Sequence, residues 1–564
     1  MQDDRRLRVV LCWHMHQPEY RDPLGGKYLA PWSYLHALKD YTDMAAHLEN
    51  EPGAAAVVNF SPILLDQLAD YRAQLDGFFS GVSGLRDPLL DALAQPALPV
   101  TEDAQRSLLH ACLGLQRQRM VDRFTAFRRL AEMADWVLAH PDLSHYVDPR
   151  LTGDLLVWYH LAWLGETVRR ADARVTRLMG KERSYSADDR RELLGLIREL
   201  IADLPRRYQA LAAEGRVELS MNSYAHPIMP LLLDFNSARE ARPDLPLPAS
   251  GAYPGGEERV QWHLERGRAV YAQCFGRLPE GCWPAEGALS AATLGLLDRA
   301  GFRWTASGLG VLLHSLGIDA APSETAHRVY RTGNARVALF FRDDELSDLI
   351  GFQYKDWHAD DAVADLVNRL VAIASEPQAG AGRVVTIALD GENAWEHYPE
   401  NGYHFLTALY RVLSRDPRFN LTTFKRCVDD PAVPVVPLPR LVAGSWVFGD
   451  LTTWMGHPDK NRAWDMLVEA RRHYLDALAS SRFEEKERVR LERQLAVCEG
   501  SDWFWWPGEY NPEASVSQFE HLFRIQLAGL YHMLGQPPPD YLGMPFSHGG
   551  TETHGGVMRP GRQA

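Results

Sequence analysis

The sequence predicts an α/β protein, an irregular seven-stranded parallel (β/α)7 barrel with a helical insertion and an all-α C-terminal domain. Three observations point there. Short β-rich runs alternate with long helical patterns, which implies parallel strands joined by right-handed crossovers. Most of the runs are continuously apolar, as strands covered on both faces are. Most also end in or carry a polar group, and the carboxyl ends of parallel barrel strands are where sites are built.

The candidate strands fall at 7–14, 55–60, 216–222, 281–286, 302–307, 335–343 and 384–392. Helical patterns fill 102–140, 186–214, 257–275, 289–300 and 359–376. The strand ends carry His14 and His16, Asn59, Glu218 and Asn222, Glu286, Ser307, Asp343 and Asp344, and Asp390 with Glu392. Residues 1–430 are expected to form the barrel, with a helical insertion at about 61–215 covering its mouth. The Pro-rich PAVPVVPLPRLV reads as a linker, and 440–540 as a helical domain. The Gly-rich residues 541–564 are expected to be a mobile tail.

Composition narrows the function. The chain has 564 residues, 46% of them apolar and 24% charged, as in a soluble globular protein. The formal charge of −14, with no basic cluster long enough to track phosphates, argues against nucleic acid as a partner. Six scattered cysteines form no CxxC pair, so neither a thiol zinc site nor a disulfide framework is expected. The N-terminal apolar run is too short for a signal peptide and no stretch is long enough to span a membrane, so a cytoplasmic location is expected. Sixteen tryptophans exceed ordinary usage, and many lie in loop-like stretches where indoles stack on flat sugar faces.

In LCWHMHQPEY, alternation puts His14 and His16 on one face of the first strand, and Pro18 ends it. Such a pair suits metal ligation, sugar binding, or an ordinary strand terminus. GCWPAEGALS sets Glu286 at a strand-to-helix corner, and IALDGENAWEHY sets Asp390 at the end of the most apolar strand. A carboxylate there is partly desolvated and its pKa tends upward, which suits a general acid. Two such groups at one mouth are the minimal kit for breaking a glycosidic bond. Taken singly, each is equally well a helix-capping acid.

HMHQP (14–18), GRVELSMNSYAHPIMP (215–230), GCWPAEGALS (281–290) and ALDGENAWEHYPENG (388–402) occur in that order, followed by GSWVFGDLTTWMGHPDKNRAW (444–464) with GSDWFWWPGE (500–509). In these motifs the chain resembles glycoside hydrolase family 57, the α-amylase, amylopullulanase and 4-α-glucanotransferase family. The resemblance implies a retaining mechanism on α-glucans, with Glu286 as nucleophile and Asp390 as acid/base. It puts His14, His16 and Glu218 in the subsite of the attacked sugar. The chemistry requires the two carboxyls about 5–5.5 Å apart. Trp283 and Trp395 flank the two carboxylates, and some of Trp446, Trp454, Trp503, Trp505 and Trp506 are expected to stack on sugar, Trp454 and Trp503 being preferred; Asp450 and Asp502, beside such rings, suit binding of sugar hydroxyls or capping of a helix or turn. No cofactor and no metal is expected. The motif wording is closer to amylases and amylopullulanases, which favours α-1,4 hydrolysis with α-1,6 action as a further capacity. The alternatives are a 4-α-glucanotransferase using the same site, and a metal-dependent α-mannosidase or polysaccharide deacetylase using His14 and His16 as ligands. The GAYPGGEE stretch (251–258) lacks the context of a nucleotide loop and reads as a flap or a turn.

Overall fold

The computed structural model describes residues 6–99, 101–142, 148–320, 322–376, 382–480, 483–551 and 557–561. Its strands, in chain order, are β1 (Leu7–Met15), β2 (Ala56–Phe60), β3 (Val217–Met221), β4 (Gly281–Cys282), β5 (Trp304–Gly308), β6 (Val329–Thr332), β7 (Ala338–Arg342), β8 (Val384–Asp390), β9 (Phe419–Thr422) and β10 (Val435–Leu438). Seven of them close into a parallel barrel in the order β1, β2, β3, β4, β5, β7, β8 and back to β1. These are the seven strands predicted. Three further short strands lie outside the prediction. β6 runs antiparallel to β7, β10 lies parallel to β6 within the supposed linker, and β9 pairs with the start of β1.

Alternation sorts each barrel strand into two faces. Val9, Leu11, Trp13 and Met15 of β1 join the large core between barrel and helices, while Val10 and Cys12 join the barrel interior. That interior is closed from below by the helix Phe424–Asp429, whose Phe424 ring lies 4.4 Å from Trp304 and 4.5 Å from Phe340. Glu218 lies beside these rings. Its carboxylate accepts from Trp304 Nε1 at 2.5 Å and from the Lys425 backbone N–H at 2.8 Å. Glu218, expected beside a bound sugar, therefore sits at the closed end of the barrel. It is two residues upstream of Ser220 on the same face of β3, and its carboxyl is spent on the floor. Burial pushes its pKa up to about 7 against those two hydrogen bonds.

The segment 61–215 is helical, as expected, but none of the residues lining the cavity described below comes from it. The pattern over 102–140 is not one helix. Glu102–Ala111 and Thr125–Ala139 are separated by a π-helical turn at Arg117–Val121. The helix Ala187–Ala213 matches the predicted 186–214 closely and starts on a capping box between Ser186 and Asp189. GAYPGGEE is a turn rather than a flap: it leads into the helix Gly256–Phe275, and a Cβ on Gly256 would lie 1.8 Å from the Leu232 carbonyl.

The C-terminal helices Pro458–Ala479, Glu485–Cys498 and Glu513–Met533 are fastened to the barrel through a buried charge network. Glu499 accepts from Arg259 Nε at 2.8 Å and pairs with His263 Nε2 at 2.7 Å. Burial opposes its ionisation, but Arg259 and His263 hold its pKa well below the usual carboxylate range. Breaking such a pair on one side costs about 3–5 kcal/mol. The predicted mobile tail is partly placed: residues 541–551 and 557–561 are described, and the second of these lies in the cavity wall.

Glu218→Ala would leave two buried N–H groups without their acceptor. It is expected to lower unfolding free energy by about 2–4 kcal/mol in urea titration, whereas a change below about 0.5 kcal/mol would show that the floor does not need the carboxylate.

Candidate active site

At the carboxyl ends of the strands lies a cavity of about 340 Å³ lined by His14, His16, Glu286, Asp390, Trp446 and Asp502, among others. Each is delivered by a definite local device. His14 stands in register with Asn59 of β2 and with Asp390 of β8, so three neighbouring strands aim side chains from one level. β4 is only two residues long, shorter than the predicted 281–286, because Pro284 interrupts it and Ala285–Gly287 forms a 3₁₀ turn. Glu286 takes φ 57° there. A left-handed backbone at a non-glycine residue costs of order 1–3 kcal/mol and is held by its surroundings. The holder is the segment around Trp446, whose backbone N–H donates to the Glu286 carbonyl and whose Nε1 donates to Glu286 Oε2, both at 3.0 Å. Gly308 at the end of β5 permits this, since a Cβ there would fall 2.5 Å from Trp446 Cα.

The two carboxyls titrate upward together. Burial, and then the charge of Asp390, push Glu286 up to about 8, against the Trp446 hydrogen bond. Burial pushes Asp390 up to about 6, against the Asn393 amide, which donates to Oδ2 at 2.9 Å. Across the neutral range the two carry one proton in total, more often on Glu286, and because the charge of Asp390 acts on Glu286 the titration belongs to the pair. Glu392, buried beside it, is raised well above the ordinary range by burial and by Asp390.

The histidines form a stack. His16 and His226 rings lie 3.7 Å apart and nearly parallel, and His14 Nε2 meets His226 Nε2 at 3.0 Å. Burial pushes His14 down to about 3 and His226 well below its ordinary value, so both are neutral. Their tautomers follow from the partners. Asn59 donates to Ser220 and so accepts from His14 Nδ1–H, 2.8 Å away. The bare His14 Nε2 then accepts from His226 Nε2–H, and His226 Nδ1 accepts from Ser501 Oγ at 2.8 Å. His16 Nε2 faces the Asp502 carboxylate at 3.0 Å, with Ser61 Oγ at Nδ1. Ligand atoms of His16, His226 and Asp502 lie within 4.8 Å of one another, enough to hold a metal ion, and three ligands with an open position is how catalytic zinc is held.

Of the residues expected in the site, Glu286, Asp390, His14, His16 and Asp502 line the cavity, and the others do not. Glu218 is in the floor. Trp283 lies inside the barrel, edge-on to Trp446. Trp395 packs on Trp13 behind the wall and donates to the Gly391 carbonyl. Trp454 is buried against Trp505, Trp503 donates to the Val497 carbonyl, and the Asp450 carboxylate accepts from Arg242 and from Thr452. All are core residues, a role that apolar loops near a site share with sugar platforms. The Trp, Tyr and Phe rings that do line the cavity are Tyr20, Trp32, Phe352, Trp446, Trp505, Trp506 and Phe519. His226 escapes selection as a site residue on sequence alone, and Trp446 is not among the preferred tryptophans, although both stand inside motifs already singled out, SYAHP and GSWVFG. Arg559 gives no signal at all.

A closed parallel barrel with two half-buried carboxyls, neutral imidazoles and aromatic rings at its mouth is the architecture of a carbohydrate-active enzyme. The sequence profile of glycosyl hydrolase family 57 matches residues 10–436, and the chain belongs to that family. No curated protein matches the chain. Among solved structures, it resembles the GH57-type branching enzyme of the archaeon Pyrococcus horikoshii at 14% identity and a TM-score of 0.57, over 99% of both chains. It resembles the GH57 branching enzyme of Thermococcus kodakaraensis at 15% identity and a TM-score of 0.56, over 94% of this chain and 90% of that one. It also resembles the α-amylase AmyC of Thermotoga maritima at 13% identity and a TM-score of 0.54, over 96% and 97%. At these identities the likeness establishes the fold. Among the described residues no helix is long and apolar enough to cross a membrane.

Trp446→Phe removes the N–H that favours ionised Glu286, so the pKa of Glu286 should rise above its present value of about 8. Carbodiimide labelling of Glu286, mapped by mass spectrometry across pH, should show its midpoint move upward; an unmoved midpoint would mean the indole carries no electrostatic weight.

Proposed function

We propose that the protein is a retaining enzyme of α-glucans that cleaves α-1,4 bonds through a covalent glycosyl–enzyme on Glu286. The observation that carries this reading is the pair of half-buried carboxyls, Glu286 and Asp390, in one cavity, with the charge of Asp390 raising Glu286. Glu286, the higher of the two, holds the single proton more often, so the productive state is the less populated one, with the proton on Asp390 and the charge on Glu286, which the Trp446 N–H stabilises. A Glu286 oxygen attacks the anomeric carbon, the glycosidic C–O bond breaks, and the departing oxygen takes the proton of Asp390. Water then attacks the same carbon, gives a proton to Asp390, and frees Glu286. His16 and Asp502 would exchange their mutual hydrogen bond for sugar hydroxyls beside the reacting carbon, while His14, whose two ring nitrogens are taken by Asn59 and His226, fixes the imidazole stack behind them.

A sugar hydroxyl in place of water would make the enzyme a 4-α-glucanotransferase. The apolar rim of Trp446, Trp505, Trp506 and Phe519, which would limit water access, favours that reading. A metal-dependent hydrolase is favoured only by the His16–His226–Asp502 cluster, and there the ring nitrogens already have hydrogen-bond partners.

Products from maltoheptaose separate these readings: only shorter sugars indicate hydrolysis, and a ladder above seven units indicates transfer. Maltotriose from pullulan would add α-1,6 cleavage. Glu286→Gln and Asp390→Asn are each expected to lose about 10³-fold in kcat while still binding glucan; full activity in either would exclude the assigned roles. EDTA should leave the rate unchanged, and a loss restored by zinc would favour the metal reading. The profile of kcat/KM against pH should be bell-shaped. It should fall below about 6 as both carboxyls are protonated and the nucleophile is lost, and fall above about 8 as both ionise and the acid is lost. A rate that is flat from about pH 5 to 9 would contradict the shared proton.

A further inference from the structure

The segment Val557–Gly561 crosses the cavity from the helical region to the barrel. At one end the Arg559 guanidinium lies over the Trp505 ring at 4.6 Å and the Tyr510 ring at 5.3 Å. It donates to Asn511 Oδ1 at 3.1 Å and, more weakly, to the Trp505 carbonyl and Thr453 Oγ1, both at 3.4 Å. At the other end the Gly561 N–H donates to Asp348 Oδ2 at 2.9 Å. Gly561 is pressed so closely on the ion pair at the end of β7 that a Cβ there would lie 2.5 Å from Asp344 Cγ and 2.7 Å from Arg342 Nη1. Between these anchors Val557, Met558 and Arg559 form part of the cavity lining.

Two features set this segment apart from a passive tail. It occupies the ring face of Trp505, an indole otherwise turned to the cavity and flanked by Trp506 there. It also ties two parts of the chain together, Trp505–Asn511 of the helical region and Arg342–Asp348 at the end of β7, of which Trp505, Trp506 and Arg342 line the cavity. A sugar unit stacking on that face of Trp505 would have to displace Arg559. A guanidinium on an indole face is attracted by the ring's negative face, and the Gly561 end adds a hydrogen bond to a carboxylate.

We propose that Val557–Gly561 is a fixed end wall of the substrate cavity, and that Arg559, by covering Trp505, sets how many sugar units the cavity accepts on that side. This rests on the α-glucan reading above. Arg559 is thus a specificity residue, placed by the last residues of the chain rather than by any catalytic motif. Taking the wall away uncovers the Trp505 face as a stacking platform for a further sugar unit, so long oligosaccharides gain and short ones do not.

The test compares the full chain with a chain ended after Gly550 and with Arg559→Ala, on maltotriose through maltoheptaose. Gly550 keeps its own anchor, since its N–H donates to the Asn511 carbonyl. Both variants should raise the ratio of kcat/KM for maltoheptaose to that for maltotriose by about tenfold, the factor given by about 1.4 kcal/mol of added binding. Products from the longer substrates should lengthen accordingly. A ratio that stays put, or an equal loss at every chain length, would overturn the wall. If the shortened chain does not fold, Arg559→Ala decides alone, its melting temperature being compared with that of the parent. A parent inactive on every member of the series contradicts both the α-glucan reading and the wall; an active parent with an unmoved ratio contradicts the wall only.

Discussion

The register of β1 between β2 and β8 is the constraint on which the site depends. His14 stands opposite Asn59 on one side and opposite Asp390 on the other. Because strand side chains alternate, a slip of one residue would turn all of a strand's inward groups outward. Val9, Leu11, Trp13 and Met15 would then enter the barrel, and both histidines would leave it. The large apolar core outside the barrel and the small one inside therefore fix the chemistry indirectly. They permit one register, and that register sets an imidazole, an amide and a carboxylate at one level of the mouth.

Around that level the cavity combines low polarity with close partnering of its polar groups. The histidines are neutral and joined in a directed chain from Asn59 through His14 and His226 to Ser501. Asp390 and, less strongly, Asp502 raise Glu286, so negative charge crowds the carboxyls of Glu286 and Asp390. Each has one opposing donor, Trp446 for Glu286 and Asn393 for Asp390. The backbone strain at Glu286 belongs to the same design: the segment that supplies the indole also holds the left-handed turn. The helical region is thus part of the site, and the buried Glu499–Arg259 pair that fastens it to the barrel supports the geometry from a distance.

The seven barrel strands are legible in the sequence because they are apolar runs that end in polar residues, a pattern local to each run. β6, β9 and β10 are not, being four residues each and paired only through tertiary context. The placement of Glu286 and Asp390 in one cavity follows from strand-end position, but side-chain direction does not. Glu218 and Asp390 are both inward carboxylates on barrel strands, and only their height along the barrel separates floor from mouth. The tryptophans show the same limit. Trp283, Trp395, Trp454 and Trp503 lie in the motifs yet are core, whereas Trp446, Trp505 and Trp506 from the same stretches face the cavity. Residue type and spacing do not distinguish an indole that packs from one that waits for a ligand. The segment at Arg559 reads as a tail because it is Gly-rich and polar, and its anchors on Asn511 and Asp348 are far away in sequence.

The central claim is that Glu286 forms a covalent bond to a sugar, with Asp390 as its proton partner. The most direct measurement is to treat the protein with a fluorinated α-glucosyl fluoride that forms the intermediate faster than it is released, and to map the modified peptide by mass spectrometry. The account predicts a single glycosyl adduct on Glu286, absent in Glu286→Gln. An adduct on another residue, or turnover of α-glucan with no adduct at all, would contradict it.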